Sequence, residues 1–108
     1  MKSYAKRADM EHPASLEAWV DVATRVCAVR GFLPGRWPEM RRNYGTVEAM
    51  RRVLTRPLAS VPLCRLKKAG LAEWSVEAGV LRFPDAFTVA ERENAQWRLD
   101  NACDPKLR

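Results

Sequence analysis

The chain has 108 residues, 47% of them hydrophobic, and its 19 Lys and Arg against 13 Asp and Glu give a net charge of +6. That length supports one core rather than two, and the apolar fraction is that of a globular chain, not a disordered one. There is no apolar run of the ~18 residues that a membrane span requires, and residues 1–13 have charge without the apolar stretch of a secretory leader. The expectation is a cytoplasmic protein forming a single helical domain over residues 1–108, with 1–13 as a loose N-terminal segment.

In chain order, the first element is a helix over SLEAWVDVATRVCAVRG. Ser15 is suited to cap it, Glu17 favours the positive end of its dipole, and Gly31 can close it. Leu16, Trp19, Val20, Ala23, Val26 and Cys27 recur at the spacing of one buried face, and Glu17, Asp21, Thr24 and Arg25 take the other. The apolar arc is broad, which makes this helix central. FLPGRWP is a turn, after which Pro38 fits the first turn of a short helix, PEMRRNY, that ends at Gly45.

Thr46 is the expected cap of a third helix, TVEAMRRVLTR, which Pro57 stops. Its inner side would carry Val47, Met50, Val53 and Leu54, and its outer side Glu48, Arg51, Arg52, Thr55 and Arg56. SVPLCRLKKAG predicts a fourth helix from Ser60 to Gly70 with Leu63 and Leu66 inward. SVEAGVLRF fits a fifth capped by Ser75, although Gly79 weakens a helix by ~1 kcal/mol and leaves a short strand as the alternative. The last helix, TVAERENAQWRLDNA, opens on a capping box formed by Thr88 and Glu91, with Ala95, Leu99 and Ala102 as its stripe and Trp97 pointing elsewhere. The fold class is therefore all-α, an irregular bundle of five or six short helices.

YGTVEAMRRVL, SVEAGVL and FTVAERENAQWRL together resemble a helical module of uncharacterised bacterial proteins. The resemblance spans residues 44–102 and supports the helical assignment. It implies no activity, and Arg92 stands where the module would have an apolar residue.

Catalytic apparatus is not evident. The single imidazole, His12, lies in the N-terminal segment, away from any nucleophile, and the five glycines are dispersed rather than grouped in a phosphate-binding loop. Glu91 and Glu93 stand two apart on a helix and point in different directions. Cys27, Cys64 and Cys103 are an odd number, and none forms a CxxC pair. This argues against both a disulfide framework and a zinc site and makes Cys27 a small buried hydrophobe. Neither a cofactor nor a metal is expected, and no small-molecule substrate is evident.

The positive charge is concentrated. Residues 36–68 hold nine Lys and Arg against Glu39 and Glu48, a local charge of +7, while the flanking thirds carry +1 and −2. A field of this kind raises encounter with phosphates or acidic partners. Arginine forks onto phosphate, and Trp37 and Tyr44 flank Arg41 and Arg42 in the aromatic–basic mixture that stacks on unpaired bases. A base-reading helix-turn-helix across Gly70 fails, because SVEAGVLRF has too little to read DNA with. A version across Gly45 is chemically suitable.

The expected function is a non-catalytic accessory subunit or regulator of a larger nucleoprotein complex that binds the backbone of RNA or DNA. Its candidate contacts are Arg41, Arg42, Arg51, Arg52, Arg56, Arg65, Lys67, Lys68, Trp37 and Tyr44. The alternative is a protein-binding module or inhibitor, host- or phage-encoded, docking on an acidic or nucleic-acid-binding protein. Exposure of Trp74, Phe87 and Trp97 as one apolar patch would favour it.

Overall fold

The computed structural model describes residues 14–56 and 60–103. The expectations for residues 1–13, including His12, and for Pro57 lie outside them. Among the described residues the chain is all-α, with no strand, and no helix is long and apolar enough to cross a membrane.

Among the described residues six helices follow one another: α1 (Leu16–Val29), α2 (Trp37–Tyr44), α3 (Thr46–Leu54), α4 (Ser60–Lys68), α5 (Val76–Arg82) and α6 (Val89–Asn101). Three-residue 3-10 turns, Ala72–Trp74 and Pro84–Ala86, sit on either side of α5. The Ser15 hydroxyl accepts from the Ala18 N–H at 3.2 Å to start α1. At its other end, Phe32 N–H bonds Cys27 O and Gly31 N–H bonds Ala28 O, with Gly31 at φ +95. This is the paired closure that a left-handed glycine permits. Gly45, at φ +81, ends α2 and is also the residue from which α3 starts, so the two helices meet at a single corner.

Residues 76–82 form a helix rather than a strand: the Ser75 hydroxyl caps it by accepting from Ala78 N–H at 3.1 Å, and α5 runs to Arg82. Gly79 is needed there for space. A Cβ at that position would lie 2.7 Å from Trp19 Cζ3 and 2.9 Å from Met50 Cε, so the glycine lets α5 approach the core closely. The capping box of α6 forms as expected, with Thr88 N–H donating to Glu91 Oε1 at 2.8 Å and Glu91 N–H to Thr88 Oγ1 at 3.1 Å.

The main core joins Trp19, Val20 and Ala23 of α1, Met50 and Leu54 of α3, Val80 of α5, Phe87, and Ala95 of α6. Trp19 stacks on Trp74 with ring centroids 5.6 Å apart and meets Phe83 edge-on. The helix expected to be central, α1, supplies this ring, but α5 is the element that packs on α1, α3 and α6 together. A second, smaller cluster packs Leu63 and Cys64 of α4 against Leu99, Ala102 and Cys103 at the end of α6.

Two expectations are corrected. Cys64 and Cys103 form a disulfide across 39 positions of sequence, where an odd cysteine count without a CxxC pair argued against one. The pairing comes from the tertiary contact between α4 and α6, which local spacing does not record. Cys27 stays a free thiol, half-buried, and burial pushes its pKa up, so it remains protonated. Thr46 is the second correction. It is the first residue of α3 and makes no cap bond, because its buried hydroxyl is taken by partners on α1 and α2.

Candidate functional site

The arginines of the central third divide by what already holds them. Arg41 is drawn inward, its side chain 18% exposed, with Nη1 2.7 Å from Asp21 Oδ1 and Nη2 2.7 Å from Glu17 Oε1. Its Nε donates to Thr46 Oγ1, and that hydroxyl donates in turn to Glu17. Burial disfavours the charged guanidinium, but the hydrogen bonds it donates to Asp21 and Glu17 and their negative charges outweigh this and raise the pKa. Arg41 therefore ties α2 to α1.

Arg51 performs the same task between α3 and α6. Its Nε lies 2.7 Å from Glu91 Oε2, Glu48 is 3.8 Å from Nη1, and the guanidinium sits 6.0 Å from the centre of the Phe87 ring. The expectation that Arg51, Arg52 and Arg56 form one solvent-facing arc is corrected to this extent: Arg51 faces the N-terminus of α6. The remaining pair is more open. Arg52 is exposed, with its guanidinium 3.8 Å above the Tyr44 ring and its Nε 3.5 Å from Glu48. Arg56 is exposed and touches Met40 Sδ through Nη2 at 3.5 Å.

Arg52 and Arg56 share a polar groove between α2 and α3 with Arg36, Asn43 and Tyr44. The groove encloses about 470 Å³, and Glu39, 3.9 Å from Arg36, is the carboxylate lining it. Arg36 and Asn43 are its unexpected members. Arg36, Met40 and Asn43 recur at i, i+4, i+7, a spacing that places them on one face of α2. Arg42 is exposed on the same helix and has no ion-pair partner among the described residues.

No family model, curated protein or solved structure matches the chain. The site is accordingly read from its own chemistry.

Four further expected contacts lie away from this groove. Trp37 is half-buried and packs on the main core. Lys67 donates its Nζ to the Leu99 carbonyl, holding α4 to α6, while Lys68 is exposed at the end of α4. Arg65 is exposed at the edge of a separate, aromatic-lined cavity of about 440 Å³ that also contains Trp37.

The apolar patch that would favour a protein-binding module does not form as a unit: Phe87 is buried, Trp74 is half-buried against Trp19, and Trp97 stands 52% exposed. Arg92, at an expected apolar position, donates Nη1 to both the Pro84 and Phe87 carbonyls and so satisfies the turn before α6. Among the described residues no three His, Cys, Asp or Glu side chains group to hold a metal ion.

Proposed function

We propose that the protein is a non-catalytic module that binds the nucleic-acid backbone in the groove between α2 and α3, as an accessory subunit or regulator of a larger nucleoprotein complex. The observation that carries this is the convergence of Arg36, Arg52 and Arg56 with Asn43 and Tyr44 in one polar groove. Guanidinium groups fork onto phosphate oxygens and the Asn43 amide adds a neutral donor, a combination that positions a backbone without reading its sequence. Tyr44, 48% exposed, offers a ring on which an unpaired base can stack. Arg42 and Lys68 extend the positive field beyond the groove.

Titration of labelled single- and double-stranded RNA and DNA at several salt concentrations tests the proposal. Three neutralised phosphates correspond to a slope of log Kobs against log[salt] of roughly −2 to −3. Absence of binding at low salt, or a slope near zero, contradicts it.

A further inference from the structure

The aromatic-lined cavity is a second surface with chemistry unlike that of the groove. Trp19 and Met50 lie at its floor, Cys27 of α1 and Leu66 of α4 wall it, and Trp37 and Trp74 complete the aromatic lining. Its apolar surface does not stop at the cavity. Leu33, in the loop after α1, lines the rim and is 80% exposed. Joined to the apolar cleft that it edges, it makes a continuous apolar surface of the kind a partner covers.

Among the described residues that line the cavity, Arg65 is the charged one, and none is Asp or Glu. Arg30, next to Val29, reaches the carbonyl of Ala69 with Nη2 at 3.2 Å and so brings a second guanidinium to the α1–α4 junction. The polar groups inside are already occupied: Thr24 donates to the Val20 carbonyl, and Ser75 both donates to Ala72 O and accepts from Ala78 N–H. The occupant this chemistry fits is apolar where it enters the cleft and acidic where it crosses the rim.

A helix lying across the rim covers the exposed Leu33 and brings one polar face to Arg65 and Arg30 together. We infer that the cleft between α1 and α4 is the docking site for an acidic amphipathic helix of a partner protein. Bulky apolar side chains at i and i+3 or i+4 would seat against Trp37, Trp74 and Leu66, with outward carboxylates facing Arg65 and Arg30.

A panel of displayed four-turn amphipathic helices tests the inference with the full chain as bait. Their inward positions vary among Leu, Ile, Phe, Met and Trp, and their outward positions are acidic in half the panel and basic in the other half. Enrichment from the acidic half is expected. An enriched peptide, titrated in solution, should lose about tenfold or more in affinity to Arg65→Glu and to Leu33→Glu. Both substituted residues are exposed, so circular dichroism should be unchanged. Leu33 does not line the α2–α3 groove, so nucleic-acid binding should stay unchanged in Leu33→Glu and the two sites can fail separately.

Enrichment of neither half, or of both equally, overturns the inference. So does an enriched peptide whose affinity ignores Arg65→Glu and Leu33→Glu. Self-association of the chain that Leu33→Glu abolishes would assign the cleft to a second copy and overturn it as well.

Discussion

Arg98 of α6 donates its Nε to Glu77 Oε2 of α5 at 2.8 Å, with the residues only 8% and 3% exposed. α5 and α6 pack along each other here, and the ion pair crosses their contact. Removing one partner of a buried pair strands the other charge, at a cost of about 3–5 kcal/mol, whereas replacing both with apolar side chains is often neutral. Arg98→Met alone should therefore lower stability by about that amount in urea unfolding, and Arg98→Met with Glu77→Leu should recover most of it. Recovery is helped because Arg98 Nη2 is buried with no hydrogen-bond partner among the described residues. Equal losses in the single and double variants would mean that packing, not charge, dominates the contact.

Gly79→Ala would stabilise an exposed helix by ~1 kcal/mol. Here the added methyl meets the stiff ring of Trp19 at 2.7 Å and the end of Met50 at 2.9 Å, and overpacking of this kind costs about 1–3 kcal/mol. A net loss of about 1 kcal/mol is expected in the same measurement. A gain would show that Trp19 can move aside.

Glu91 contributes a pH-dependent term. The Thr88 backbone N–H that it accepts lowers its pKa, burial opposes this, and Arg51 lowers it further. Because the folded value is depressed, the stabilisation is complete above the unfolded value near 4.5 and is lost as pH falls through the folded one. Glu91→Gln should be less stable than the wild type at neutral pH and converge with it in acid. A difference that persists unchanged in acid, where Glu91 is protonated in both states, would place the effect in shape rather than charge.

The Cys64–Cys103 cross-link closes a loop of 39 positions, for which chain entropy gives about 4 kcal/mol of stabilisation. Reductant and Cys103→Ala should lower the unfolding midpoint to the same value, and reductant should not affect the variant further. Cys27→Ala should leave the reductant response intact. A wild type indifferent to reductant would contradict the bond's contribution.

Helix ends and buried stripes were legible in the sequence because they depend on near neighbours. Ser15, Ser75 and the Thr88–Glu91 box act within three residues of themselves, and Trp19, Val20 and Ala23 follow the helical period. The misreadings share the opposite property. Thr46 looks like a cap until Glu17, 29 positions upstream, takes its hydroxyl. Arg41 and Arg51 look like solvent-facing basic residues until carboxylates on other helices meet them. Arg98 falls beside the stripe of Ala95, Leu99 and Ala102, and nothing local indicates that Glu77 will face it. Charge density alone located the basic third of the chain. Which of its guanidiniums remain open to a ligand depends on acids contributed by α1 and α6.

The most direct measurement is the salt dependence of nucleic-acid binding by the wild type and by Arg52→Gln with Arg56→Gln. Both side chains are exposed in the α2–α3 groove, so neutralising them should leave helical circular dichroism unchanged. The slope of log Kobs against log[salt] should become shallower by roughly 1 to 2 as two phosphate contacts are lost. Equal slopes and equal affinities for the two proteins would contradict phosphate binding in this groove.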